Sequence, residues 1–338
     1  MTSRTVSFSR NAINVFFHIL THCNLNCSHC YINPHQHGDK TLPLSTIKRW
    51  LDAFADKSPK ANVIFLGGEP TLHADLPQAV RYARQIGYQS ITIDTNGYLF
   101  NDILSKITPA EVDYISFSLD GASRPVNDAI RGKGCYDRCL SGIRRSVAGG
   151  FKTSLIYTVS ETNIHELPDM VPLVEELHID RFFIQVIGIR GKSAEKKSSV
   201  ERPGQVSQSV WQEVVPAVAE AVAKKGIIVT YPKVFLSETE TFECAGLVAE
   251  NYFIFPNGRV YRCPLCEDFP LHGLAFENDR LVETPPLNET DFFRLSIPEG
   301  CVMNKLIQPN NLSYDDAGRP EYKIACCMLK EEVAEKQR

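Results

Sequence analysis

The chain has 338 residues, a formal net charge of −4, and 43% hydrophobic against 22% charged residues, enough for one large or two moderate domains with an ample core. The mild acidity gives no reason to expect nucleic acid as a partner, no apolar run of about 18 residues marks a membrane span, and the polar start from Met1 to Arg10 lacks the apolar stretch of a signal peptide. A cytoplasmic protein is expected, and in that reducing compartment eleven cysteines point to metal or redox chemistry rather than to disulfides.

In chain order, the apolar run from Ile13 to Leu20 reads as a strand that feeds Cys23, Cys27 and Cys30, spaced C-x3-C-x2-C. Short β-branched and aromatic runs follow at 63–66, 90–93, 114–119, 154–159 and 182–186, with helical stretches between them such as 44–55, 76–86, 102–105 and 167–177. Strands separated by single helices imply parallel βαβ units, so six repeats predict a partial (β/α)6 barrel of the α/β class, with ligands at the carboxyl ends of its strands. Cys135 and Cys139 stand four apart in a predicted helix, on one face, and read as buried structural thiols. From Gly188 to Gln205 a polar, basic loop follows the sixth strand, with Arg190 nearest the strand end. It reads either as a rim element able to close over an anionic substrate or as a solvated surface loop. A helix over 209–224 and a strand near 227–230 come next.

The tail from Thr241 differs in kind. Two β-type runs flank Pro256-Asn257-Gly258, a strong hairpin signal, and Cys244, Cys263, Cys266, Cys301, Cys326 and Cys327 are gathered there. A cysteine before one strand and another ending its partner fall near each other across such a ladder. The expected division is a barrel domain over 1–235 and a small cysteine-rich α+β extension over 236–338.

Three thiolates within eight residues can converge on one metal centre. A [4Fe–4S] cluster normally takes four cysteines, so a tripod leaves one iron open to an exogenous ligand. The alternative is zinc, whose sites pair C-x2-4-C with a second such pair or with two histidines. His22 and His29 each offer a fourth ligand for it.

The motif resembles the signature of the radical S-adenosylmethionine (SAM) enzymes. Their position before the third cysteine is often aromatic; here it is His29, and Tyr31 follows the triplet. The resemblance implies that Cys23, Cys27 and Cys30 hold a [4Fe–4S] cluster whose fourth iron is chelated by the amino and carboxylate groups of SAM. Gly67-Gly68-Glu69-Pro70 resembles the family's GGE motif, which contacts the SAM amino group. Asp94-Thr95-Asn96-Gly97 is similar to its TNG, and Ser118-Leu119-Asp120-Gly121 to its SLDG segment. Asn127 to Gly134 is like HD-x-x-RG-x-G with Asn127 in place of the histidine, and Thr158 with Asn163 matches a TV-x-x-x-N pattern. The cofactor contacts implied are Gly67, Gly68, Glu69, Asn96, Ser118 and Asn163; for Ser118 and Asn163 a capping or turn role is the plain alternative.

The tail resembles the SPASM or twitch extension of that family, with Cys244, Gly258 and Cys263 in register. The shortened pattern implies one auxiliary [4Fe–4S] cluster held by Cys244, Cys263, Cys301 and Cys326, for which Cys266 is a substitute and a zinc ribbon the alternative. The implied reaction is reductive cleavage of SAM to a 5′-deoxyadenosyl radical that abstracts a substrate hydrogen, in the modification or oxidation of a small metabolite or a peptide. A flavodoxin or ferredoxin is the implied reductant. Only 22 residues precede Cys23, so no leader-binding domain is expected there. A non-catalytic iron–sulfur or zinc sensor or scaffold is the alternative function; it would have no use for GGEP, TNG and SLDG segments at strand ends.

Overall fold

A computed structural model describes residues 2–6, 12–57, 60–100, 102–194, 204–237 and 239–335. Strands β1 (Thr2–Val6), β2 (Ile13–His18), β3 (Ala61–Leu66), β4 (Ser90–Thr95), β5 (Tyr114–Ser118), β6 (Thr153–Val159), β7 (Arg181–Val186) and β8 (Ile228–Pro232) precede β9 (Phe235–Leu236). Then come β10 (Glu250–Ile254), β11 (Arg259–Tyr261), β12 (Leu274–Glu277), β13 (Arg280–Glu283), β14 (Lys323–Ile324) and β15 (Lys330–Ala334). Thirteen of them form one sheet in the order β1-β15-β8-β7-β6-β5-β4-β3-β2-β10-β11-β12-β13, and β9 pairs with β14.

The six predicted strands, β2 to β7, lie side by side in chain order and parallel. Two further strands extend the parallel run: β8, which returns after the helix Gln208–Ala223, and β10, beside β2. The sheet keeps two edges, β1 and β13, so the barrel is partial, as expected. The predicted domain boundary falls inside β9, and the C-terminal segment contributes to both flanks of the sheet, through β10 next to β2 and β15 next to β8.

Alternation along the strands sets the two faces. In β2, Ile13, Val15 and Phe17 are buried while Asn14 and Phe16 are half-buried; in β4, Ile91, Ile93 and Thr95 are buried while Thr92 and Asp94 are half-buried. The buried set packs outward under the helices. Leu44–Ala55, for example, offers Ile47, Trp50, Leu51 and Phe54 at helical spacing, each such side chain contributing about 1.5–3 kcal/mol by burial. The inward set lines the lumen. At its lower end Asn62 donates to Asn14 (3.1 Å) and Asn14 to Asn251 (3.0 Å), an asparagine ladder across three strands.

The predicted hairpin is present: β10 and β11 pair antiparallel around Gly258, whose φ of +90° suits glycine. Cys135 and Cys139 are both buried in the helix Cys135–Ala148. No helix among the described residues is long and apolar enough to cross a membrane.

Candidate metal centres and cofactor site

The loop after β2 carries Cys23, Cys27 and Cys30, all free and half-buried. Two supports hold it. The first is the turn after β3, where the Gly68 and Glu69 amides donate to Leu20 O and His22 O (both 3.0 Å). A Cβ on Gly67 would stand 2.8 Å from Leu20 O, and one on Gly68 2.3 Å from His22 O and 2.4 Å from Thr21 O. The two glycines therefore permit close approach of backbone to the cysteine loop, where the sequence suggested close approach to a ligand.

Glu69 is 1% exposed and acts as a hub. Its Oε1 accepts from the Thr71 amide (3.1 Å), Thr71 Oγ1 (2.6 Å) and Thr95 Oγ1 (2.7 Å), and its Oε2 from the Asn96 amide (2.7 Å). Asn96 in turn donates to Asn24 Oδ1 (3.0 Å) and to Cys23 Sγ (3.7 Å). Burial raises the Glu69 carboxyl, opposed by these donors, and it pushes Cys23 up to about 12. Any metal binding there must release thiol protons.

The second support comes from the far side. The Ser28 amide donates to Ile130 O (2.9 Å), Cys27 Sγ lies 3.8 Å from Arg131 O, and the Arg131 guanidinium meets Asp120 at 2.6 Å. His29 Nε2 is 3.3 Å from the same carboxylate oxygen. Burial works against charge on Arg131, yet Asp120 raises its pKa overall. This triad explains why the SLDG and RG segments matter together, which motif matching alone did not reveal.

The remaining expected contacts are placed differently. Ser118 faces the lumen and bonds to Asp94. Asp94, on β4 two residues before Asn96, has a buried Oδ1 with no partner, and burial followed by the nearby Glu69 charge raises its carboxyl to about 7. Asn163 is fully enclosed. Its amide donates to Asp120 O (3.0 Å) and Thr158 O (2.9 Å), and its oxygen accepts from the Ser160 amide and hydroxyl. No donor or acceptor on it is left over for a cofactor.

A cavity in the C-terminal region is lined by Cys244, Cys263, Cys301, Cys326 and Cys327 between apolar side chains that include Phe242 and Phe293. All four predicted auxiliary ligands thus face one space, joined by Cys327. Cys266 does not line it but bonds to the Cys263 thiol from behind. Glu289, buried, fixes this wall by accepting from the Arg262 (2.7 Å), Gly273 (3.0 Å) and Cys263 (3.3 Å) amides. The Cys327 thiol lowers the pKa of Cys326 against the effect of burial, favouring the thiolate that metal ligation needs.

Both donor sets are sulfur-rich and free of disulfides, which suits iron–sulfur chemistry. Among the described residues, no three His, Cys, Asp or Glu side chains are drawn together as around a single ion. In the polar loop after β7, read either as a rim element or as a surface loop, Arg190 is paired with Glu267, and Lys192 donates to Asn26. The lysines at 196 and 197 lie outside the described residues.

Residues 18–174 match the Radical SAM superfamily, whose members bind a [4Fe–4S] cluster and SAM. The chain is 33% identical over 197 residues to the Fe-coproporphyrin III synthase of Methanosarcina barkeri, covering 56% of this chain and 49% of that protein. It is 31% identical over 167 residues to a probable GTP 3′,8-cyclase of Saccharolobus solfataricus, covering 49% and 54%. The chain thus spans about half the length of these curated relatives. In fold it resembles SuiB of Streptococcus suis bound to its precursor peptide SuiA, with a TM-score of 0.64 at 16% identity over 86% of this chain and 66% of that one. It also resembles anSMEcpe with bound AdoMet, with a TM-score of 0.57 at 12% identity over 90% and 85%. The match to the Radical SAM superfamily thus lies over residues 18–174, with the cysteine loop at the head of the matched segment and a cysteine-rich region beyond it toward the C-terminus.

Proposed function

We propose that the protein reductively cleaves SAM and abstracts a hydrogen atom from a peptide or a small metabolite, assisted by an auxiliary [4Fe–4S] cluster in the C-terminal cavity. The observation that carries this reading is the pair of cysteine sets: three thiols on the loop after β2, and five around one cavity in the tail. Cys23, Cys27 and Cys30 would hold the first cluster, and Cys244, Cys263, Cys301 and Cys326 the second, with Cys327 beside them. When bound, these groups supply low-potential electron transfer, homolysis of a C–S bond and hydrogen abstraction.

The chain's own part is placement and exclusion. Glu69 and Asn96 tie the cysteine loop to the ends of β3 and β4. The partnerless Asp94 Oδ1, Ser118 and the Gly67–Glu69 turn then offer polar contacts to SAM. Asn163, already saturated, holds the Asp120 turn instead. The enclosing walls keep water and stray hydrogen donors away from the reacting atoms. The peptide reading draws support from the SuiB and anSMEcpe complexes with peptides, the metabolite reading from the coproporphyrin synthase.

The test is anaerobic reconstitution followed by iron analysis and quantification of 5′-deoxyadenosine with SAM and dithionite. About eight irons per chain, two [4Fe–4S] sets, with cleavage lost in Cys27→Ala but auxiliary iron lost in Cys301→Ala, is expected. Zinc with no cleavage would sink the reading.

A further inference from the structure

The segment 188–193, just past β7, lies between the two cysteine-bearing regions and touches both. Toward the first, the Lys192 amide donates to Cys30 O (2.9 Å). A Cβ on Gly191 would stand 2.5 Å from Cys30 O and 2.7 Å from Tyr31 Cα, and its φ is +56°, so only glycine fits this crossing. Toward the second, the Gly191 amide donates to Asp268 Oδ2 (2.6 Å), and Asp268 Oδ1 accepts from Asn33 (3.3 Å). Between them sits Arg190. Its guanidinium donates to Pro264 O, pairs with Glu267 and lies 4.6 Å over the Tyr31 ring. Pro264 lies within the Cys263–Cys266 turn and Glu267 directly follows it. Tyr31, next to Cys30, packs in the same apolar cluster as Cys263 and Cys301.

The side chain of Arg190 is 17% exposed and that of Glu267 2%. A buried ion pair recovers little net stability once both charges are desolvated, so its use lies in fixing register. The planar fork matters as well: it meets a carbonyl, a carboxylate and an aromatic face together, which a lysine ammonium cannot do.

We propose that Arg190 is a positioning residue that clamps the Cys30–Tyr31 turn of the SAM-binding centre to the Cys263–Glu267 wall of the auxiliary centre, so that one buried side chain sets their relative placement. The inference rests on the reading that both cysteine sets hold clusters.

The experiment compares reconstituted wild type with Arg190→Gln and Arg190→Lys. Iron per chain checks loading, and the electron paramagnetic resonance spectrum of the reduced protein with and without SAM reports on the first centre. In Arg190→Gln, iron content is retained, the SAM-induced spectral change becomes heterogeneous or is lost, and 5′-deoxyadenosine formation slows about 10- to 100-fold, as a displacement of about 1 Å near the chemistry would cause. Arg190→Lys does not rescue. A spectrum and rate equal to wild type in Arg190→Gln, or full rescue by lysine, overturns the proposal. Should Arg190→Gln fail to fold, Glu267→Gln, which removes the ion pair and keeps the shape, is scored in the same way. About four irons in wild type would remove the auxiliary-cluster reading, while the spectral comparison at the first centre still decides whether Arg190 holds Cys30.

Discussion

Replacing Arg131 by methionine probes the support beneath Cys27. Arg131 and Asp120 are 8% and 0% exposed and stand 2.6 Å apart, with the other Asp120 oxygen accepting from the Thr158 amide (2.7 Å). Methionine fills similar volume but leaves the Asp120 carboxylate buried without its cation, and breaking one partner of a buried pair costs about 3–5 kcal/mol. For a chain of this size that is a fall in melting temperature of about 4–7 °C. Because Arg131 O and Ile130 O also receive Cys27 Sγ and the Ser28 amide, the same change lowers iron retention at the first centre. The double variant Arg131→Met/Asp120→Asn removes both charges and recovers most of the loss. Thermal melts of the two singles and the double, read as a cycle, give a coupling energy of several kcal/mol. A single variant within about 1 kcal/mol of wild type, or a double no better than Arg131→Met, would refute the view that the pair is a buried, mutually dependent support.

Gly68→Ala places a methyl 2.3 Å from His22 O; we expect loss of iron from the first centre with auxiliary iron kept, measured by iron analysis and spectroscopy. Asp94→Asn tests a buried carboxyl raised from 3.8 to about 7. Its native state favours the proton, so wild type is unpenalised below the unfolded value and loses stability as pH rises toward the folded one. The variant should therefore gain up to about 4 kcal/mol between pH 4 and pH 8, and a pH-independent difference would contradict the shift. Cys266→Ala, which removes a thiol behind the cavity wall, should leave auxiliary iron near the wild-type level.

The parallel core was legible because period-2 alternation and intervening helices are local signals, and the cysteine loop because its spacing is compact. What escaped was long-range. Nothing local to residues 250–254 says that β10 pairs parallel with β2, more than 230 residues away. The Gly67-Gly68 pair was seen, but its partner, the His22 backbone, was not. The same holds for Asn163: a polar residue after a strand looks available until its amide is found saturated by Asp120 O and Thr158 O. Among six C-terminal cysteines, spacing does not show that Cys327 lines the cavity with the four expected ligands while Cys266 does not.

The parallel pairing of β10 with β2 has a chemical consequence. It brings Phe255 to the same end of the sheet as His18, where the rings stack 4.1 Å apart; His37 stacks on the other face of Phe255 at 3.8 Å. Ile254 O can only accept, so His18 Nδ1 carries the hydrogen toward it (3.0 Å) and Nε2 accepts from the Tyr31 hydroxyl (2.7 Å). Burial, then the neighbouring His37, lowers His18 to about 3, and burial lowers His37 to about 4. The wall beside Tyr31 therefore stays neutral across physiological pH. Its cost appears in acid: the unfolded chain takes up these protons below about 6.5 while the native one does not. Stability contributed by the neutral rings is thus fully present above that value and is lost as pH falls toward the folded values. At pH 5 the loss is about 2 kcal/mol for each ring. His18→Gln, which keeps a donor and an acceptor, should melt at a less acid-sensitive temperature than wild type between pH 7 and pH 5. Equal acid sensitivity in the two proteins would mean that His18 is not held neutral by this stack.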